Sequence, residues 1–298
     1  MRTEGLTFRC DGLDMAGVWY LPEPAAARAD RPALVVTSGF CGMLDRLPKI
    51  FAEVACPLGY PVFSFDYRGF GLSGGTPGDT LLDDQARDMA SALVIAHDRA
   101  SAEKRPLVLA TWAMSSPVAV QALKLSRQVA AFMPMNGFYN GRRWLRSVKG
   151  EADFARWLDW LDEERARLAR GGEAKGIHPF EIYPLDPVTA KDVYEKMYEP
   201  PGWGPDQALC FADSLLSVDG EGDLSHLAAV PALIVHGAEN ALHPPQESLS
   251  FHARYPGPRQ LLMLDGVGHL GWIGDSPAMT TLLDTMEAWL ARQGIAAG

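Results

Sequence analysis

Short apolar runs rich in β-branched residues alternate with longer stretches of helical periodicity along most of this chain, and few folds accommodate that order. "ALVVTSGF" (33–40) is a continuous run ending at Gly39-Phe40, as expected of a strand buried on both faces. "PVFSFDYRGFGLSGG" (61–75) reads as a strand that runs out into a glycine-rich loop. The strand-like segments "LVLA" (107–110), "VAAFMPMNG" (129–137), "PALIVHG" (231–237) and "RQLLMLDGVGH" (259–269) follow. Helices are predicted over 45–58, where Leu47, Ile50, Phe51, Val54 and Ala55 share a face, and over 80–100. Another starts at Pro117, and a last one spans 276–292 with Met279, Leu282, Leu283, Met286, Trp289 and Leu290 on one side. At the start, "LTFRCDGLDMAGVWYLP" alternates about Asp11-Gly12, the pattern of a β-hairpin. These elements together predict an α/β protein: an eight-stranded, mostly parallel, doubly wound sheet with helices on both faces.

Residues 138–209 interrupt the alternation. "DFARWLDWLDEERARLARGG" predicts an amphipathic helix closed by Gly171-Gly172, and "IHPFEIYPLDPVTAKDVYEKMYEPPGWGP" is rich in proline and aromatics. An insertion at this point sits over the carboxyl ends of the strands, where open α/β sheets bind ligands. The expectation is a core of residues 1–137 and 210–298 carrying a lid of residues 138–209.

The formal charge of −10 argues against nucleic acid or an anionic membrane as partner. Cys10, Cys41, Cys56 and Cys210 have neither disulfide-like nor zinc-like spacing, and read as free thiols of a reducing compartment. The first residues have no apolar signal region, and no run approaches a membrane span, so a cytoplasmic location is expected. No cofactor and no metal is expected; the partner is a small molecule.

The stretch "LVLATWAMSSPVAV" (107–120) is the informative one. A strand enters a tight turn and a helix leaves it, in the pattern small-x-nucleophile-x-small. The residue at the centre is Ala113, which cannot attack anything. The turn glycines are altered too, to Thr111 and Ser115.

This order of elements, with Ser38-Gly39-Phe40, Asp66-x-Arg68-Gly69-x-Gly71-x-Ser73, Thr111-Trp112-Ala113-Met114-Ser115, "HGAENALHP" (236–244) and "GVGHLGW" (266–272), resembles the α/β-hydrolase superfamily. The resemblance implies that the backbone N–H groups of Phe40 and Met114 form an oxyanion hole. It implies that His269 is the retained histidine, with Asn240 at the position of the acid and Ala113 at that of the nucleophile. Asn240 can orient an imidazole but cannot stabilise an imidazolium by charge. Glu239 is a substitute acid to consider, and Asp66 and Arg68 match the superfamily's loop-bracing pair. The Ser-Gly-Phe loop, with a Ser two places after the nucleophile position, is similar to the acyl-ACP thioesterases of bacterial bioluminescence.

Further residues are candidates for the pocket wall: Ser38, Cys41, Trp112 and Ser115 near the turn, and Trp157, Trp160, His178, Tyr183, Tyr194 and Trp203 from the lid. Most lid aromatics are equally suited to packing among themselves. Three readings follow. One is a non-hydrolytic lyase, cyclase or isomerase in which His269 is a general base acting on a carbonyl-bearing, mainly apolar small molecule. Another is a serine ester or thioester hydrolase disabled by Ala in place of Ser at 113. The third is a catalytically silent protein that binds a ligand or a partner.

Overall fold

The hairpin at Asp11-Gly12 forms because both residues take positive φ, 49° and 82°, the geometry of the turns that match the twist of paired strands. It joins β1 (Arg2–Cys10) to β2 (Leu13–Leu21) in an antiparallel pair at the edge of one sheet. The remaining strands are β3 (Ala33–Thr37), β4 (Val62–Phe65), β5 (Leu107–Trp112), β6 (Ala131–Met135), β7 (Ala232–Gly237) and β8 (Arg259–Leu264). This computed structural model describes residues 1–40, 42–192, 206–271 and 274–295, so Cys41, Tyr194, Trp203 and Trp272 lie outside the described residues.

The eight strands run in the order β1-β2-β4-β3-β5-β6-β7-β8. β2 pairs antiparallel with β1 and β4, and every later pairing is parallel. The expected mostly parallel sheet is what forms. Residues of β5 alternate between the two cores. Leu107 and Leu109 face one side, Val108, Ala110 and Trp112 the other. On the first side lie α2 (Leu82–Ala102) and α3 (Ser115–Leu125); on the second lie α1 (Leu47–Ala55) and α10 (Pro277–Arg292). All six apolar residues anticipated for the last helix are buried in α10.

The chain winds outward from β3 in both directions, to β4 through α1 and to β5 through α2. The carboxyl ends of β3 and β5 therefore stand side by side where the winding reverses, with Thr37 opposite Thr111. An open α/β sheet has its crevice at such a reversal.

Between β6 and β7 the chain makes α4 (Gly141–Lys149), α5 (Glu151–Ala169), α6 (Pro179–Ile182), α7 (Pro187–Asp192) and α8 (Leu209–Leu216). α5 is the anticipated amphipathic helix, and Gly171 ends it with φ 83°. Five helices were not anticipated: α4, α6, α7, α8 and α9 (Gln246–Arg254). They are short, and α4 owes its start to a cap in which Asn140 Oδ1 accepts the Arg143 N–H at 2.9 Å. Among the described residues no helix is long and apolar enough to cross a membrane.

Candidate active site

Ala113 sits in the turn between β5 and α3 with φ 52°, a left-handed conformation that a side-chain-bearing residue adopts at a cost of about 1–2 kcal/mol. Its N–H donates to Met135 O at 2.8 Å and its carbonyl accepts the Ser116 N–H at 3.0 Å, so both neighbours hold the turn in place. Gly39, from the loop after β3, lies against it: a Cβ at Gly39 would stand 3.2 Å from the Ala113 Cβ. A side chain at 39 would push the loop off the turn.

Ser115 locks the two loops together from below. It is buried, its hydroxyl donates to the Ser38 carbonyl, and its Oγ accepts from the Tyr67 hydroxyl at 3.0 Å. Ser115 was a candidate for the pocket wall; its oxygen is occupied in holding the loop, and the residue does not line the cavity.

His269 lies five residues past the end of β8. The loop that carries it crosses close over β7, which is possible because Gly237 has no side chain: a Cβ there would meet Val267 O at 2.4 Å. Asn136 anchors this crossing. Its Nδ2 donates to His269 O at 2.8 Å and its Oδ1 accepts the Gly237 N–H at 2.9 Å. Asn136 itself takes φ 51°, so the strand read over 129–137 stops at Met135, before the Asn-Gly pair.

The protonation of the His269 ring follows from its neighbours. Asn240 Oδ1 accepts the backbone N–H of His243 at 3.0 Å, which fixes which end of the amide is oxygen. His269 Nδ1 stands 3.2 Å from the same Oδ1, so Nδ1 carries the proton and Nε2 does not. Behind it, His243 Nδ1 donates to Asn136 O at 2.5 Å, which leaves its Nε2 to accept from the Tyr183 hydroxyl at 2.6 Å. His236 Nε2 donates to His243 O at 2.8 Å, and its Nδ1 accepts from Ser248 at 2.7 Å. Asn240 Nδ2 then faces the His236 Nε2–H at 3.3 Å, two donors toward each other.

No carboxylate enters this network among the described residues. Burial pushes His269 down to about 3, with the nearby His236 adding to the effect. Burial likewise takes His236 to about 4, and takes His243 well below the usual histidine range. All three imidazoles are neutral at physiological pH.

Ala113, Trp112, Ser38, Gly39, Phe40 and His269 line one cavity of about 50 Å³, room for a few water molecules. The insert contributes Phe180, Tyr183, Leu185 and Thr189, and Leu47, Leu242 and Leu270 complete a mainly apolar wall. Of the insert's aromatic candidates within the described residues, only Tyr183 reaches this wall. Trp157 stacks on Phe154 with Lys149 Nζ 4.8 Å from its ring, because that face of α5 turns toward α4. Trp160 lines a separate cavity with Glu164 and Arg167. His178 caps α6, its Nδ1 accepting the Phe180 N–H at 3.3 Å. Glu239 is exposed and does not join the His269 network; its backbone N–H is tied to Val267 O at 2.9 Å. Met114 is buried as the residue before α3.

Asp66 and Arg68 do not pair with each other. Asp66 accepts the N–H groups of Leu44 and Leu72 at 2.7 and 2.9 Å, bracing the loops after β3 and β4. Burial raises its pKa, and these two backbone donors offset part of the effect. Arg68 turns away to Asp88 and Asp11. Among the described residues no group of three His, Cys, Asp or Glu side chains is placed to hold a metal.

No family model matches the chain. An uncharacterized 31.7 kDa protein of Escherichia coli is 21% identical over 224 residues, which covers 74% of this chain and 77% of that one. Among solved structures, a hypothetical protein of Pseudomonas aeruginosa superposes with a TM-score of 0.76 at 18% identity, covering 98% of this chain and 94% of its own. The α/β hydrolase GrgF of Penicillium sp. sh18 gives 0.69 at 19% identity over 98% and 99%. A monoglyceride lipase of Saccharomyces cerevisiae gives 0.68 at 14% identity over 98% and 95%. The chain has the α/β-hydrolase fold.

At the turn after β5, Ala113 holds a left-handed φ of 52° with a side chain that carries no reactive atom. The residues that reasoning from sequence missed, Asn136, His236, His243 and Ser248, are partners in the network behind His269. Two of them lay inside the quoted "HGAENALHP", where histidines seven apart were the available signal.

Proposed function

We propose that this protein is a non-hydrolytic enzyme of the lyase, cyclase or isomerase type. Neutral His269 takes a proton at Nε2 from a carbon or hydroxyl acid of a carbonyl-bearing, mainly apolar small molecule. The backbone N–H groups of Phe40 and Met114 hold the oxygen on which negative charge develops. Residues 138–209 act as a lid, and Tyr183 is one of the residues by which they contact the core, through His243.

The observation that carries this reading is the contact between His269 Nδ1 and Asn240 Oδ1 at 3.2 Å. Asn240, clamped by the His243 N–H, assigns the proton to Nδ1 of a neutral ring, and His269 lines the cavity where Ala113 offers no nucleophile. Loss of a serine nucleophile costs about 10⁶-fold in hydrolysis, so conservation of a hydrolytic rate does not explain the arrangement. A pKa of about 3 makes the cation costly in the unliganded site. An enolate in the oxyanion hole supplies the missing opposite charge and raises that pKa as the proton arrives.

The test is exchange of the acidic C–H of a medium-chain 1,3-diketone in D₂O, followed by NMR. Wild type is expected to accelerate exchange, with a rate that is flat from pH 5 to pH 9 because the base is already unprotonated throughout. His269→Gln should abolish the acceleration while ligand binding stays within a few fold. Undiminished exchange in His269→Gln defeats the proposal.

The retained strain at Ala113 favours a second reading, a disabled ester or thioester hydrolase. It requires Ala113→Ser alone to restore turnover of p-nitrophenyl butyrate by several orders of magnitude. On our reading the single variant stays near background, because an Asn in place of the triad acid costs about 10⁴-fold, and Ala113→Ser with Asn240→Asp exceeds it.

A further inference from the structure

The hydroxyls around the elbow are almost all committed. Ser115 donates to the Ser38 carbonyl, Thr111 and Ser116 bond each other at 3.1 Å, and Tyr183 bonds His243. Ser38 is the exception. It is 1% exposed, it lines the cavity shared with Ala113 and His269, and its Oγ has no hydrogen-bond partner among the described residues. Leaving a buried hydroxyl unpaired destabilises a fold, so such groups call for an explanation. Thr37 and Ser64 also carry unpartnered hydroxyls, but neither lines this cavity.

The position of Ser38 is well determined. Its carbonyl is held by Ser115, which is in turn held by the fully buried Tyr67. The residue before it pairs across to β5, and the residue after it rests on Ala113. The hydroxyl is thus presented by a backbone that does not need it. The surrounding wall is apolar: Leu47, Phe180, Leu185, Leu242 and Leu270. An oxygen atom of a ligand is the group that such a place accepts.

We propose that the Ser38 hydroxyl is a substrate-binding group: it donates a hydrogen bond to the carbonyl oxygen, beside the backbone N–H groups of Phe40 and Met114. This deepens the function proposed above and shares with it the position of the oxyanion. A relocated nucleophile is the competing use of the same atom. That use needs a base within hydrogen-bond reach, and Ser38 Oγ makes no bond to His269 or to any other group among the described residues. The ligand class that fits is a ketone, thioester or ester with one oxygen at this end and an apolar body.

The experiment uses the intact protein and 4-nitrophenolate at pH 8.5 as an enolate-like probe, titrated by its absorbance, with neutral nitrobenzene as control. Ser38→Ala should weaken phenolate binding by roughly ten- to a hundred-fold, the loss of one charge-assisted hydrogen bond. Nitrobenzene should bind both proteins alike, and Ser38→Thr should restore phenolate binding to within about threefold. Without ligand, Ser38→Ala should melt at the same temperature as wild type or about 2 °C higher, since it removes an unpaired hydroxyl. A merely structural Ser38 would lower that temperature. Phenolate binding does not require His269 to act as a base, so a failure of proton exchange leaves this measurement standing. Absence of phenolate binding by wild type, equal binding by Ser38→Ala, or covalent labelling of Ser38 by a fluorophosphonate would each overturn the proposal.

Discussion

Two clusters of polar side chains, one partly buried and one buried, lie on either side of β3, and they are built on opposite electrostatic plans. Around Arg68 the plan is charge against charge. The guanidinium donates to Asp88 at 2.6 Å and to Asp11 at 2.8 Å, and Asp84 approaches at 3.2 Å. Burial works against this cation, yet its hydrogen bonds to Asp88 and Asp11 outweigh it and hold the group above its usual pKa. Around His269 every member is neutral. Asn240, Asn136, Ser248 and Tyr183 satisfy three imidazoles with dipoles alone, and burial drives those rings far from protonation. A charged cluster needs its partners to remain ionised, whereas the neutral one needs its histidines never to become so.

The largest expected effect attacks the neutral plan through pH. His236, His243 and His269 have folded pKa values below the unfolded value of about 6.5, so below that pH the unfolded chain binds protons that the folded chain refuses. Their contribution is complete above pH 6.5 and is lost as pH falls toward 4, at about 1.4 kcal/mol per histidine per pH unit. By pH 5 the three together should have removed roughly 6 kcal/mol, before most carboxylates protonate. Urea unfolding at intervals from pH 7.5 to pH 5 measures it. An uptake of fewer than one proton on unfolding near pH 5.5 would mean that the histidines are charged in the fold.

The charged plan is broken by Asp88→Ala. Asp88 is fully buried and accepts from Arg68 through both carboxylate oxygens. Its removal should cost about 3 kcal/mol at pH 7.5, toward the lower end for a broken buried pair because Asp11 and Asp84 remain. The same unfolding assay reads the loss. A change under about 1 kcal/mol would place this cluster with exposed ion pairs, which contribute little.

Asn240→Asp converts part of the neutral site to the charged plan. A carboxylate at 240 keeps the acceptor for the His243 N–H and for His269 Nδ1–H. It also replaces the amide nitrogen that faces the His236 Nε2–H with an acceptor. The pKa of His269 should rise by at least one unit, about 1.4 kcal/mol, read from the pH dependence of its ring C–H resonance. An unmoved resonance would show that position 240 does not set the electrostatics of His269.

What was legible in the sequence follows the same division between local pattern and distant contact. The strands, the hairpin and α10 are written in periodicity, and the turn at Ala113 in the passage from a β run to a helix. His269 and Asn240 were singled out by the resemblance to the α/β-hydrolase superfamily, His269 as the histidine after the last strand and Asn240 as the residue three places after Gly237. The roles of Asn136 and His243 were not legible, since the two partners lie 107 residues apart. The aromatic candidates of the insert looked alike on paper. Helical spacing shows that Trp157 and Trp160 share a helix, but not that one meets Phe154 and the other a separate cavity. Short helices such as α4 and α9 depend on caps and packing more than on a long apolar stripe, and went unread.

The smallest expected effect separates backbone strain from both clusters. At Ala113 the left-handed φ of 52° costs about 1–2 kcal/mol, which glycine would relieve. Against that, Ala113→Gly loses a buried methyl, about 0.8 kcal/mol, and gains unfolded-chain freedom, about 0.5–1 kcal/mol. The terms nearly cancel, so Ala113→Gly should leave stability within about 0.5 kcal/mol of wild type. Ala119 supplies the reference. It is fully buried in α3 with ordinary helical backbone, and Ala119→Gly has the same losses with no strain to relieve. That variant should fall by about 1.5–2 kcal/mol, and the difference between the two measures the strain at the turn. Equal losses would mean that the turn after β5 is relaxed; the retained elbow would then be no argument for the disabled-hydrolase reading.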